Sequence, residues 1–454
     1  MRRAAIALLL LTPVAAAQAL VTAGELPRLQ RIFTSRSGSE PLACDVTPIT
    51  PSLNFAFRYL AGYSFHVPQS QYQASSRGWS VLTAITPEAG AATYLVGRTL
   101  LSDATRSGMN FDIHGLYFLG EGRYSVESTI RDDRNRVCRK QWQIVVKSSH
   151  ANRAVPPALP RNTVRQFSPF ISPDIKIADH GPPMRLSILL NAAAFSTFRT
   201  TIRQYDRTVL LGALTALLER LPAASVRLVV FSLEQQREIF RSEHFAPSDT
   251  DKVGDAMRSM QQATVDVHVL EKPLGHVDFL AGLIDRERDA PNPADTVVFL
   301  GPTSRYGNKI PEDVLPAPAS GLAGQDSARF FYVRYESLRR ASGMPGSSGI
   351  YSADAGGNGG RSGTTVADET TGQNGPGQHA PPSPGTGAGM GGGGGRGGGG
   401  RGHSIDPQLA SPGEGQTDII TAAVARLKGK TLTIHTPGDL AKAIRRIDKQ
   451  GLRP

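Results

Sequence analysis

Between Leu42 and Val146 the apolar residues fall in short runs with a period of two, each run closed by turn-forming residues. Leu53-Asn54-Phe55-Ala56-Phe57-Arg58-Tyr59 alternates apolar and polar positions, which predicts a half-buried strand. Ser80–Ile85, Thr93–Leu101, Met109–Ile113, Arg123–Ile130 and Gln141–Val146 predict further strands, with Pro87, Gly90, Ser107-Gly108 and Gly120-Glu121-Gly122 between them. Short, regularly spaced strands without helical periodicity predict an all-β sandwich of immunoglobulin-like size over residues 20–150. Trp79 and Trp142 are expected in its core.

The period changes at Met184. Arg185–Leu190 predicts a short buried strand, and Phe198, Ile202, Tyr205, Val209, Ala213, Leu217 and Leu221 then fall on one face of a long helix. Strands are predicted over Val226–Phe231, Arg237–Phe240, Val265–Leu270, Thr296–Leu300 and Phe330–Tyr335, and helices over Asp251–Gln262, capped by Asp249 or Thr250, and Val277–Arg286. Such β–α alternation predicts an α/β fold: a doubly wound, mostly parallel sheet with helices on both faces.

Two segments break these patterns. Residues 151–183 are rich in proline and lack periodicity, which predicts a stiff linker. Residues 341–416 are dominated by Gly, Ser, Pro and Thr, with too few large apolar groups to offset backbone entropy, which predicts a disordered insertion. A helix over Asp418–Leu427, a strand over Thr431–Ile434 and a helix over Pro437–Ile447 follow, with Thr436 as the last cap. Such a fragment cannot stand alone, so residues 417–450 are assigned with 184–340 to one domain, since loop-closure entropy grows only slowly with the length of the insert.

The first residues bear on compartment. Arg2 and Arg3 precede an apolar run from Ala4 to Leu11, and Ala17-Gln18-Ala19 supplies a small-x-small cleavage pattern, so residues 1–19 read as a signal peptide cut near Ala19. No later stretch approaches the roughly 20 apolar residues of a membrane-spanning helix. A secreted or periplasmic protein is the expectation. In an oxidising compartment Cys44 and Cys138, the only cysteines, are expected to pair. Two cysteines also exclude a disulfide-dense miniprotein and any multi-cysteine zinc or iron–sulfur site.

In residue types and order, Val226-Arg227-Leu228-Val229-Val230-Phe231-Ser232 after a strand and long helix, Thr296-Val297-Val298-Phe299-Leu300, and Lys428-Gly429-Lys430 with Pro437-Gly438-Asp439-Leu440 resemble a von Willebrand factor A domain. The layout of leader, β-rich region and this domain is similar to exported bacterial von Willebrand factor A-related proteins. The resemblance covers 184–340 and 417–450. It implies a metal-ion-dependent adhesion site, with Asp-x-Ser-x-Ser ending the first strand, a Thr from a later loop and an Asp from another strand end. Asn191 stands at the Asp position here, and Ala193 and Phe195 replace both serines. Gly275-His276-Val277-Asp278 covers the Thr loop without a Thr, and Pro302 occupies the second Asp position. Mg²⁺ requires hard oxygen ligands in octahedral array, so the metal site is expected to be absent. A shift of register brings in Ser196 or Asp278, but no full ligand set.

Other chemistry is sparse. Gly387-x-Gly389-x-x-Gly392 matches a dinucleotide fingerprint only inside low-complexity glycine and opens no helix. Asp112 and His114 share one face of a predicted strand, as an oriented base would, but no nucleophile accompanies them. Arg396 and Arg401 lie among glycines without the charge density to hold nucleic acid. The chain carries 50 Lys+Arg against 39 Asp+Glu, a formal charge of +11, with the excess in the β-rich region and in the last helix, through Lys442, Arg445, Arg446 and Lys449. A non-enzymatic interaction protein without cofactor is the leading expectation, its partner an unidentified protein or envelope polymer. Polyanion binding through the basic N-terminal module and the terminal helix is the alternative, and an enzyme with an unfamiliar site the third.

Overall fold

A computed structural model describes residues 18–34, 41–71, 78–100, 110–168, 175–179, 182–195, 202–259, 274–304, 315, 328–336 and 418–451. The expected strand over Val265–Leu270, the insertion at 341–416, Ser196, Phe198 and most of the leader lie outside these residues. Elements are numbered along the chain.

The N-terminal half is built from two antiparallel sheets. Strands β1 (Ala19–Leu20), β5 (Thr93–Leu100), β4 (Gly78–Pro87), β7 (Gly122–Asp132) and β8 (Val137–Val146) pair in that spatial order. Strands β2 (Asp45–Leu53), β3 (Tyr59–Pro68), β6 (Asn110–Leu119) and β9 (Val164–Gln166) form the second sheet, and helix α1 (Leu26–Thr34) follows β1. Alternate residues of both sheets meet in one core. Tyr63 on β3 lies edge-on to Trp142 on β8 at 5.8 Å, with Trp79, Ile85 and Ile130 fully buried around them. Trp142 itself is only half-buried at the margin of that core. Cys44, just before β2, and Cys138, on β8, are joined by a disulfide that ties one sheet to the other.

Leu53–Tyr59, expected as one strand, instead holds the end of β2, a turn over residues 54–58 and the start of β3. The Asn54 side chain accepts hydrogen bonds from the backbone N–H groups of Ala56 and Arg58 at 3.0 and 2.9 Å, which outcompetes an extended ladder. Phe57 takes a left-handed conformation (φ 56°) to close it. The apolar alternation marks a wedge rather than a strand. Phe55, Ala56 and Phe57 are buried, and helix α2 (Gln204–Arg220) passes so close that a Cβ on its Gly212 would meet Ala56 at 3.2 Å.

The C-terminal half is a six-stranded mixed sheet. Strands β10 (Met184–Asn191), β11 (Ala223–Ser232), β12 (Arg237–Ser242), β13 (Thr296–Pro302), β14 (Arg329–Tyr335) and β15 (Lys430–Ile434) lie in the order β12-β11-β10-β13-β14-β15. Only the β11–β12 edge is antiparallel. Helices α2, α3 (Thr250–Ser259) and α6 (Pro437–Gly451) bury their apolar faces against one side, continuous with the core of the β sheets. Helices α4 (Gly275–Arg288) and α5 (Ile419–Arg426) cover the other through Leu280, Leu283, Ile419 and Val424. Burial on both faces explains why the central strands are apolar at nearly every position.

Residues 151–183, expected as an extended linker, behave differently over their described part. They contribute β9 to a sheet and bury Val155, Ile175 and Ala178, whose isolated apolar side chains give no periodic signal. Among the described residues no helix is long and apolar enough to cross a membrane.

Candidate functional site

The strand order of the mixed sheet reverses between β10 and β13, whose chain neighbours lie on opposite sides. In open α/β sheets the crevice beyond the carboxyl ends of the strands at such a point is where ligands bind. Asn191, Ala193, Phe195 and Pro302 sit there, at the ends of β10 and β13.

Asn191 is fully buried and committed to the fold. Its Nδ2 donates to Ser304 Oγ at 2.9 Å, and its Oδ1 lies 3.5 Å from the Leu233 backbone N–H. Gly301 permits this approach, since a Cβ there would come within 2.8 Å of the Asn191 Cβ. Ala193 is buried and offers no ligand. The Phe195 ring packs on Tyr335 with centroids 4.3 Å apart, and Tyr335 also meets Phe55 from the β2–β3 turn at 5.5 Å. The Pro302 carbonyl accepts the Tyr332 hydroxyl at 2.6 Å. Gly275-His276-Val277-Asp278 forms the first turn of α4, with His276 and Val277 buried.

Two carboxylates border this region, and both serve backbone groups. Asp206 Oδ2 accepts the Phe195 N–H at 3.3 Å, and Asp418 Oδ1 caps α5 by accepting from Ile420 and Thr421 at 3.0 and 3.2 Å. Burial pushes both acids above the usual carboxylate range. An engaged amide, a hydroxyl that receives it and an aromatic stack do not fit the octahedral oxygen shell of Mg²⁺.

A second group was not foreseen. In the β2-β3-β6 sheet, register sets His66 opposite both Asp45 and Asp112. His66 Nδ1 is 2.6 Å from Asp112 Oδ1, and His66 Nε2 is 3.1 Å from Thr47 Oγ1. This is the hydroxyl–imidazole–carboxylate order of an activated nucleophile. Asp112 thus orients His66 rather than His114, whose imidazole is shifted down chiefly by burial. Sequence spacing could not reveal the pair, since strand register creates it. Thr47 is exposed and Asp112 is 49% exposed, so neither group is held in a water-excluded site.

At the opposite end of the mixed sheet a cavity of about 250 Å³ is lined by Arg185, Arg227, Glu243 and His244 among others. Its charges are paired internally. Arg227 bridges Glu243 and the fully buried Glu287, which also bonds Ser187 at 2.7 Å, and Arg185 pairs with Asp295. The basic residues of α6 are all exposed. Lys442 pairs with Asp439 at 3.3 Å, and Arg445 donates to the Ala154 carbonyl at 3.1 Å. Among the described residues no group of three or more His, Cys, Asp or Glu side chains is arranged to hold a metal ion.

The chain matches no protein family model and no curated protein. Among solved structures it is similar to a lipoprotein from Bacteroides thetaiotaomicron, at 10% identity over 27% of this chain and 92% of that one. The TM-score of 0.13 is too low for that likeness to bear on fold or function.

Proposed function

We propose that this is an exported, non-enzymatic interaction protein in which an immunoglobulin-like sandwich precedes a doubly wound, von Willebrand factor A-like domain with a degenerate adhesion site. The observation that carries the reading is the Asn191–Ser304 hydrogen bond at the point where strand order reverses. Where a metal-bearing relative would hold a cation between two strand ends, this chain joins them directly with an amide and a hydroxyl. Strand order and the helices on both faces support the domain assignment. Tyr124, whose hydroxyl donates to the Gly120 carbonyl at 2.9 Å, supports the sandwich, because a tyrosine bonded to backbone just upstream is a hallmark of such domains. The disulfide supports an oxidising compartment.

Binding then uses surface contacts without a bridging cation. Calorimetric titration with Mg²⁺ or Mn²⁺ should give no saturable heat, and capture of partners from envelope extract should be unchanged by EDTA. Saturable cation binding abolished by Asn191→Ala, or EDTA-sensitive capture, overturns the proposal.

The exposed row Lys442, Arg445, Arg446 and Lys449 favours polyanion binding as a second reading. Binding to an anionic polymer should weaken steeply between low and physiological salt. Replacing all four by Glu should abolish it, and a flat salt response removes this reading.

A further inference from the structure

We infer that Gln18 is the first residue of the mature protein, so that the leader is released by hydrolysis of the Ala17–Gln18 bond and not after Ala19. This rests on the reading of the chain as exported. Water is added across the peptide bond, leaving a carboxylate on Ala17 and an ammonium on Gln18.

Gln18 is built into the folded core. Its side chain is buried, and Nε2 donates to the Tyr63 hydroxyl. Thr83 Oγ1 lies 2.9 Å from that hydroxyl and 2.9 Å from Ser128 Oγ, so three strands contribute to one buried polar cluster that Gln18 closes. A buried hydroxyl cluster deprived of a partner is costly, because water no longer compensates it. Gly97 carries an independent sign of the same fit. A glycine inside a strand weakens the strand unless another group must come close. A Cβ at position 97 would lie 3.3 Å from Gln18 Cγ.

The following residues extend this attachment. Ala19 and Leu20 pair with Val96 and Leu95 as strand β1, and the Val21 N–H reaches the Tyr94 carbonyl at 2.9 Å. Cleavage after Ala19 would discard Gln18 and half of that strand. Cleavage two residues earlier, after Ala17, keeps both, and Ala15-Ala16-Ala17 satisfies the small-x-small requirement as well as Ala17-Gln18-Ala19 does. A side chain discarded on export has no place to fill in the folded protein, whereas Gln18 fills one.

The test is to express the full precursor with export in a bacterial host and determine the intact mass and N-terminal peptide of the product. A chain beginning at Gln18 with its side-chain amide intact supports the inference, whereas cyclisation to pyroglutamate, which expels Nε2 as ammonia, overturns the bonding role given to that amide. A chain beginning at Leu20 overturns it and leaves export standing, whereas one still beginning at Met1 overturns both. Independently, chains starting at Gln18 and at Leu20 are compared by thermal unfolding. The shorter chain should melt about 2–4 °C lower, and Gln18→Ala in the longer chain should lower Tm in the same direction. Equal melting of all three overturns the structural role of Gln18.

Discussion

Arg58 Nη2 lies 2.6 Å from Glu219 Oε1, with the two side chains 14% and 15% exposed, and this pair fastens the β2–β3 turn to helix α2. The β sheets and the mixed sheet therefore share charge as well as core. A charge-assisted hydrogen bond in this setting contributes about 1.5–3 kcal/mol. Glu219→Ala should lower the free energy of urea unfolding by about that amount. A double-mutant cycle with Arg58→Ala should return a coupling well above the ~0.5 kcal/mol typical of exposed pairs.

Phe57 gives a sharper test of the same wedge. Its ring is buried, with the Arg220 guanidinium 5.9 Å from the centroid, so Phe57→Ala should cost about 3–5 kcal/mol. Glycine in regular structure is normally worse than alanine by about 0.5–1 kcal/mol. At φ 56° that order should reverse, because only glycine relieves roughly 1–2 kcal/mol of left-handed strain. Phe57→Gly should therefore melt at or above the temperature of Phe57→Ala.

Much of the architecture was legible because burial writes itself into period. Most of the strand positions from Ser80 onward and the face of α2 carrying Val209, Ala213 and Leu217 lie where the apolar spacing put them. The failures share a cause. At 53–59 a side chain, Asn54, captured the backbone hydrogen bonds that alternation alone would give to a strand. At 151–183 single apolar residues such as Val155 and Ile175 insert into a core made by other elements, so no local repeat records them. The site divides the same way. The resemblance to a von Willebrand factor A domain implied that Asn191, Ala193, Phe195 and Pro302 stand at or just beyond two strand ends, and β10 ends at Asn191 and β13 at Pro302. The Asn191–Ser304 bond and the Thr47–His66–Asp112 chain depend on loop path and strand register, which spacing does not encode.

The disulfide should be a large single contribution to stability. Joining Cys44 to Cys138 closes a loop of 94 positions, which in the chain-entropy model stabilises by roughly 4–5 kcal/mol. Reductant should lower the Tm of the wild-type protein markedly. It should leave unchanged the Tm of a Cys44→Ser/Cys138→Ser variant, which should already melt at the reduced value.

Asp418 separates the capping role of a carboxylate from the cost of its charge. Oδ1 caps α5 through Ile420 and Thr421, while Oδ2 is buried and Arg334 Nη1 stands 4.0 Å from it, with Tyr332 adjacent. Asparagine caps a helix as well as aspartate, so Asp418→Asn keeps the bonds and removes the charge, whereas Asp418→Ala loses the cap at about 1 kcal/mol. Burial holds the Asp418 carboxyl above its unfolded range despite the opposing pull of Arg334 and the backbone donors. Its ionised form therefore opposes folding at neutral pH, and that penalty is relieved as pH falls through the raised folded-state value. The stability of Asp418→Asn relative to wild type should be greatest near pH 8 and shrink as pH falls through the raised folded-state value of Asp418 towards the unfolded carboxylate range. Urea unfolding of both proteins at pH 8, 6 and 4 measures the difference, and an advantage that grows towards pH 4 would show that the charge stabilises the fold after all.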